Sequence, residues 1–259
     1  MQKSGFTLIE ISIVLIIIGL IAAGILIGRD LIHQAELRAD ISKMRDLDVA
    51  VQTFKLKYNC LPGDCPNATD FLDNTVNGDG NDVIGLQIGS GGAYSMMLPS
   101  IWNSEAVESI VINDHLARAK LINFEPFDTS GAVDLALVSP SKVLQRLKSQ
   151  SEEAGMIVGC KLAWLGELEG CHHLLLGVTN RSMVGLGTKP AVIPIPDAFY
   201  FDSKLDDGVA LTGGVISANS TDPIENQPQF IITTAGNSTC VDYNFTSTDK
   251  CVLMVKRDF

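Results

Sequence analysis

Charged residues and prolines are both missing from long stretches near the amino terminus. No charged residue occurs from Ile11 to Gly28, where Ser12 is the only polar side chain, and no proline occurs from Met1 to Leu61. A segment without charges can lie in the hydrocarbon layer of a membrane, and a segment without prolines can form one long helix. From Phe6 to Gly28 such a helix is about 34 Å long, enough to cross a core of roughly 30 Å.

An excess of positive charge and the familiar catalytic motifs are missing as well. Residues 1–57 carry seven basic and six acidic side chains, and residues 58–259 carry twelve and twenty-four, giving the net charge of −11. This balance argues against nucleic acid as a partner. The chain contains no Gly-x-Ser-x-Gly elbow, no phosphate-binding loop and no His-Glu-x-x-His motif. We therefore predict that the protein is not an enzyme, with a membrane-tethered envelope enzyme as the less favoured alternative.

Cysteine is scarce but even in number, and it occurs as three close pairs. Because a membrane segment precedes the pairs, export is expected and disulfides are favoured over metal sites. Six cysteines allow 15 pairings, and the sequence alone does not choose among them. His172 and His173 beside one pair add zinc-ligand types, but the spacing matches no familiar zinc motif. The pairs are Cys60 and Cys65, Cys160 and Cys171, and Cys240 and Cys251.

Glu10 stands at the entrance of the apolar run. A secretory signal peptide would have a shorter apolar stretch of about 7–15 residues and no acid at this point, so a permanent anchor is favoured. An acid in the apolar layer costs about 2.5–3.5 kcal/mol and usually marks a function or a partner. The alternative is that Glu10 lies in the lipid headgroup layer without a special role.

The residues around Glu10 resemble those of a known family. The sequence Lys3-Ser-Gly-Phe-Thr-Leu-Ile-Glu10, followed by the long apolar run, is similar over residues 3–28 to precursors of type IV pilins and type II secretion pseudopilins. The resemblance implies that a prepilin peptidase cleaves after Gly5 and methylates the new amine of Phe6. It also implies that Glu10 neutralises the Phe6 amine of a neighbouring subunit. Many pilins have a proline within this helix, and its absence here is a departure from the family pattern.

The same resemblance implies a location and partners. The chain would be a structural subunit, major or minor, of a type IV pilus or a type II secretion pseudopilus, and a tip adhesin is the alternative. It would cross the bacterial inner membrane once, with its amino terminus in the cytoplasm and its head in the periplasm, or outside the cell once assembled. Its partners would be other pilin-like subunits, the prepilin peptidase and an inner-membrane assembly platform.

The predicted fold class is α+β, with a pilin-like long amino-terminal helix on a mainly antiparallel β head. We expect a leader at 1–5, a transmembrane half-helix at 6–28, an amphipathic half-helix at 29–58, and a disulfide-containing head at 59–259. Asn59 and Pro62-Gly63 are expected to end the helix. Steps of three and four define the face that packs on the head: Leu37, Ile41, Met44, Leu47, Val51, Phe54 and Tyr58. The opposite face is expected to carry Glu36, Arg38, Asp40, Lys43, Arg45 and Asp46.

Apolar runs in the head predict short strands joined by turns. Two predicted hairpins would place Cys160 opposite Cys171 and Cys240 opposite Cys251, and a turn at Pro62-Gly63 would bring Cys60 near Cys65. Pairing in sequence order is therefore favoured. The predicted strands are Gly155–Trp164, Cys171–Val178 and Gln229–Thr234, with a terminal hairpin formed by Cys240–Phe245 and Lys250–Val255. A helix is expected over His115–Ile122.

Two acidic segments contain the ligand types that calcium prefers. The first offers Asp79, Asn81 and Asp82, but the glutamate that an EF-hand needs at its twelfth position is missing. The second segment offers a further acidic turn with Asp202, Asp206 and Asp207. Calcium binding and ordinary turn formation by Asn, Asp and Gly both remain open. No other cofactor is expected.

Overall fold

The computed structural model describes residues 7–82, 84, 104–126, 145–150, 154–160, 171–177, 193–210, 212–220, 232–233, 240 and 242–257. Within these ranges the α-helices are α1 (Leu8–Tyr58), α2 (Ser104–Arg118) and α3 (Ile195–Leu205), with a 3-10 turn at Ala68–Asp70. The strands are β1 (Gln145–Arg146), β2 (Ala154–Cys160), β3 (Cys171–Gly177), β4 (Ile193–Pro194), β5 (Val215–Ser220), β6 (Ile232–Thr233) and β7 (Lys250–Arg257).

Helix α1 runs without interruption for 51 residues. It ends at Asn59, which adopts a left-handed conformation with φ 56° and donates its backbone N–H to the Lys55 carbonyl. Asn tolerates this conformation and therefore often caps helices. Gly63 follows at φ 94°, and a Cβ there would lie 2.5 Å from the Glu108 carbonyl oxygen. The predicted helix end is confirmed, and the turn after it requires glycine.

The second half of α1 packs one face against the head. Six of the seven apolar residues predicted for this face are buried, and Tyr58 is half-buried. This confirms the predicted stripe, which follows from the helical spacing of apolar side chains. Burial of a large aliphatic or aromatic side chain contributes about 1.5–3 kcal/mol, so the stripe is a main source of head stability. The buried members are Leu37, Ile41, Met44, Leu47, Val51 and Phe54.

Asp40 does not lie on the solvent-exposed face, and the prediction that placed it there was wrong. Its side chain is fully buried and accepts hydrogen bonds from the backbone N–H groups of Lys148 and Ser149, at 2.7 and 2.9 Å. The Ser149 hydroxyl donates a third bond at 2.7 Å. The carboxylate thus joins α1 to the segment after β1, which lies more than a hundred residues away in sequence.

The described strands form one antiparallel sheet in the order β1-β2-β3-β7-β5-β6, with β4 paired to β7. Strand β3 pairs with the carboxyl-terminal part of β7, and β4 pairs with its first residues. Since β5 occupies the other edge of β7, the carboxyl-terminal strand lies in the middle of the sheet. Its residues Cys251–Val255 are all buried. The predicted α+β class with a mainly antiparallel head is confirmed.

The predicted terminal hairpin is wrong, because the residues described between Cys240 and Phe245 are turns and loop and not strand. Asn244 accepts hydrogen bonds from the N–H and the hydroxyl of Thr246, and Ser247 accepts one from the N–H of Asp249. Such local bonds from short polar side chains compete with strand pairing. Strand β7 therefore pairs with β3, β4 and β5 instead.

Polar contacts also fix α1 to the head at three levels along the helix. His33 Nε2 lies 2.9 Å from an Asp197 carboxylate oxygen, and Arg38 Nε donates to the Tyr200 hydroxyl at 3.2 Å. Further along the helix, Asp48 forms an ion pair with Arg257 of β7 at 2.9 Å. Because these contacts lie at separate levels of the helix, the head cannot slide along α1 without breaking them.

The buried carboxylate gives a direct stability test. Replacing Asp40 by Ala leaves two backbone donors without their acceptor, which we expect to lower the free energy of unfolding by about 2–4 kcal/mol. Asp46→Ala, six residues further along the helix and exposed, should change it by less than about 0.5 kcal/mol. Urea unfolding of the full chain in detergent measures both values. Equal effects of the two substitutions would contradict the assigned role of Asp40.

Candidate functional site

The first half of α1 is not covered by any described part of the head. Every residue from Thr7 to Ile27 is exposed, although the segment is almost wholly apolar. Its most apolar window of 18 residues has a mean hydropathy of 3.0, and none of that window is buried. By length and composition, α1 is able to cross a membrane. An apolar surface of this size needs lipid or other helices around it.

Thr7 and Glu10 form a capping box at the start of this exposed half. The Thr7 backbone N–H and hydroxyl both donate to one Glu10 carboxylate oxygen at 2.8 Å, and the Glu10 N–H donates to the Thr7 hydroxyl at 3.4 Å. This arrangement satisfies donors that the first turn of a helix would otherwise leave unpaired. Glu10 therefore has a local partner within its own chain, a role that the sequence analysis missed although Thr-x-x-Glu is its signature.

The predicted cleavage point lies outside the described part of the chain. Gly5 and Phe6 are among residues 1–6, so cleavage after Gly5 and methylation of Phe6 stay predictions. The pairing of Glu10 with the Phe6 amine of a neighbour also stays a prediction. What is described is the start of α1 at Leu8, two residues after the predicted new amino terminus.

The first acidic segment folds around a residue that the sequence analysis did not select. Asp64 is buried and accepts the backbone N–H groups of Gly80, Asn81 and Asp82, at 2.8, 3.1 and 2.9 Å. Burial, with the neighbouring Asp79 carboxyl, raises the pKa of Asp64 to about 6. The buried carboxylate thus shapes the loop.

Asp64, Asp79 and Glu108 each offer a carboxylate oxygen, and these oxygens lie within 4.8 Å of one another. Of the predicted ligands, only Asp79 belongs to this group. The Asn81 side chain donates to Asp79, and the Asp82 backbone donates to Asp64. Glu108, on α2, accepts the Asp79 N–H at 3.1 Å and carries no local sequence signal that links it to the loop. Calcium binding here stays a prediction.

The second acidic segment is only partly a turn. Asp202 is buried in the last turns of α3, where it accepts the Tyr243 hydroxyl at 2.6 Å and the Gly208 N–H at 3.2 Å. Burial raises the pKa of Asp202. Asp206 accepts the N–H groups of Gly214 and Val215, so it closes the turn before β5.

Asp207 is exposed, and its carboxylate accepts the Val209 N–H at 2.8 Å and the Thr212 hydroxyl at 2.5 Å. The Thr212 hydroxyl, followed by the Val209 N–H, lowers the pKa of Asp207. The structure brings oxygens of Asp202, Asp206 and Asp207 within 4.8 Å, as a cation site would require. Each carboxylate also has its own protein donor, which is ordinary turn chemistry. Calcium at this turn stays a prediction.

Two of the three cysteine pairs are disulfides in sequence order. Cys60 is bonded to Cys65 and Cys240 to Cys251, with Cα atoms 5.1 and 5.8 Å apart. The first bond closes the loop after α1, and the second ties the segment before β7 to that strand. The backbone register of β2 and β3 places Cys160 opposite Cys171. The side chains of that pair, and of His172 and His173, lie outside the described part of the structure, so the third disulfide stays a prediction.

His115 holds the first acidic loop against α2. The Gly63 N–H donates to His115 Nδ1 at 2.9 Å, and His115 Nε2 lies 3.0 Å from the Val76 carbonyl oxygen. The neutral ring with its proton on Nε2 satisfies both partners. Burial lowers the pKa of His115 from 6.5 to about 4, so the folded chain resists protonation where an unfolded chain does not.

This lowered pKa predicts a pH dependence of stability. Below pH 6.5 the unfolded chain binds a proton at His115 and the folded chain does not until about pH 4, so the His115 contribution to stability falls across that window. Between pH 7 and pH 5 the advantage of the native chain over His115→Gln should shrink by on the order of 2 kcal/mol. Because the pKa of Asp64 is raised, its own contribution to stability increases as the pH falls. This contribution is the same in the native chain and in His115→Gln, so it cancels in the comparison. Urea unfolding at the two pH values checks this, and an advantage that does not change with pH would contradict it.

The comparisons with known proteins agree with the character of the amino-terminal segment. The family model described as the prokaryotic N-terminal methylation motif matches residues 1–26. This motif is the hallmark of the precursors of type IV pilins and pseudopilins, so the resemblance is confirmed for this segment. The motif implies processing by a prepilin peptidase and assembly into pilin-like filaments, and its family consists of structural subunits. No curated protein and no solved structure matches the chain significantly.

Proposed function

We propose that this chain is the precursor of a structural subunit of a type IV pilus or a type II secretion pseudopilus. The leader ending at Gly5 is removed by a prepilin peptidase, and the new amine of Phe6 is methylated. The processed subunit waits in the inner membrane and then transfers its apolar half-helix from lipid into the core of a filament. The match of residues 1–26 to the methylation motif supports this reading.

The division of α1 into two halves is the observation that carries the proposal. One continuous helix has a half that is fully exposed and apolar and a half whose apolar face is buried by the head. A tethered enzyme would need a membrane anchor but not a rigid rod that continues into its globular part. In a filament the exposed half packs against the same half of neighbouring subunits, so contacts between helices replace contacts with lipid.

The disulfides support a periplasmic location of the head. Bonds such as Cys60–Cys65 and Cys240–Cys251 form and persist in oxidising compartments, including the bacterial periplasm. With a single membrane crossing in α1, a periplasmic head leaves the amino terminus in the cytoplasm. That is the side on which the peptidase is expected to cleave.

The mature amino terminus tests the proposal directly. We expect intact-mass and peptide spectra of the purified membrane protein to show a chain that begins at Phe6 with one added methyl group. Gly5→Leu should prevent cleavage, because a side chain at Gly5 obstructs the peptidase, and should leave the full-length mass. A native chain that retains residues 1–5 in cells containing a prepilin peptidase would overturn the assignment.

The role of the Glu10 charge can be separated from its role in the helix cap. Glu10→Gln can still accept the Thr7 N–H, since Gln also serves in capping boxes, but it carries no charge. We expect both Glu10→Gln and Glu10→Ala to be cleaved normally. Each should lower incorporation into filaments by about tenfold or more, because an unpaired buried ammonium costs several kcal/mol.

Sheared filaments, quantified by immunoblot against total subunit, provide the measurement. Ser12→Ala serves as the control, because it removes a polar side chain from the same part of the helix, where its hydroxyl donates to the Ile9 carbonyl at 2.9 Å. Ser12→Ala should assemble normally. Normal assembly of Glu10→Gln together with failure of Glu10→Ala would assign Glu10 to the helix cap and not to a charge pair.

A further inference from the structure

Apolar side chains remain exposed on the head near the second acidic segment. Phe199, Val209 and Phe245 are 38%, 53% and 57% exposed, and together they are named the aromatic patch. Phe199 packs edge-on against both Tyr243 and Phe245, with ring centroids 5.4 Å apart in each case. Because Tyr243 is buried and bonded to Asp202, the rings of the patch are held in place.

The aromatic patch is flanked by negative charge. Asp206 and Asp207 are exposed and directly precede Gly208 and Val209 in the chain. Asp207 is close enough to Tyr243 to raise its pKa, after the larger effects of burial and of Asp202. A partner for this surface therefore needs an apolar side chain together with positive charge.

The end of α1 carries the complementary combination. Leu56 is 88% exposed, and Lys55 and Lys57 stand on either side of it. This set, Lys55–Lys57, is named the basic tip. It borders the head, whose residues 58–259 carry twice as many acidic as basic side chains. A protruding leucine between two lysines is complementary to an aromatic surface beside two aspartates, because both centres are apolar and the flanking charges are opposite.

The two surfaces lie far apart along α1. Helix α3, which carries Phe199, is fixed to α1 through His33 and Arg38. Leu56 lies 18–23 residues further along the same helix, which is about 27–35 Å at a rise of 1.5 Å per residue. Because α1 is continuous, the tip of one chain cannot bend back to reach its own patch.

We propose that the basic tip of one copy docks onto the aromatic patch of a second copy. This inference rests on the proposed function, and it names one contact by which the subunits associate. Two different surfaces of the same chain meet in such a contact, so each copy has one surface free for the next. Contacts of this heterologous kind continue without closing and produce a filament. The heads then stack in one direction along the axis, around the apolar core that the helices form.

Disulfide trapping tests the contact in assembled filaments of the full chain. Leu56→Cys combined with Phe245→Cys should give, on mild oxidation, a ladder of covalent multimers, because each copy can bond to one above and one below. Each single variant should give dimers at most. The matched control combines Val49→Cys with Phe245→Cys. Val49 is also exposed on α1 but lies about 10 Å further down the helix, beyond the roughly 4 Å that a disulfide allows between Cβ atoms.

A second measurement uses charge reversal and does not depend on new cysteines. Lys57→Glu and Asp207→Lys should each lower filament yield by about tenfold, since like charges meet across the contact. The double variant Lys57→Glu with Asp207→Lys should recover most of that loss. The proposal is overturned if native filaments form but the Leu56–Phe245 pair gives no ladder, if the Val49 control gives an equal ladder, or if the reversed pair does not recover. Failure of the native chain to be cleaved or to enter filaments would instead refute the proposed function.

Discussion

The packing of one face of α1 against the head is the interaction on which the rest of the structure depends. Burial of Leu37, Met44, Val51 and Phe54 holds the second half of the helix to the sheet and to α2 and α3. Because α1 is continuous, fixing that half also fixes the direction of the exposed half. The head and the exposed apolar half of α1 therefore move together as one rigid unit.

Buried carboxylates organise the parts of the head that have little regular structure. Asp40, Asp64 and Asp202 are all fully or almost fully buried, and each accepts at least one backbone N–H from a distant or irregular segment. A buried charge with such donors is stabilised where an unpaired one would be costly. Some of the acidic residues of the head thus hold its backbone in place, a role that the net charge does not reveal. The exposed acidic residues include Asp207, whose carboxylate accepts the Val209 N–H and the Thr212 hydroxyl.

Local patterns in the sequence predicted the elements that depend on local physics. The stripe of α1 and its end at Asn59 follow from helical spacing and from the tolerance of Asn for a left-handed conformation, and both are confirmed. The capping box of Thr7 and Glu10 is equally local, since its Thr-x-x-Glu spacing is present in the sequence. The terminal hairpin failed because Asn244 and Ser247 bond to nearby backbone instead of continuing a strand.

The sequence by itself determined the membrane-spanning character of α1, the face that packs on the head, and the motif at its start, because each is written in residues only a few positions apart. Only the tertiary structure decided that β7 lies in the middle of the sheet, that Asp40 is buried, and that Glu108 joins Asp64 and Asp79. These features depend on contacts between segments separated by tens to hundreds of residues. No local spacing encodes such contacts, since the path of the chain between the segments sets them.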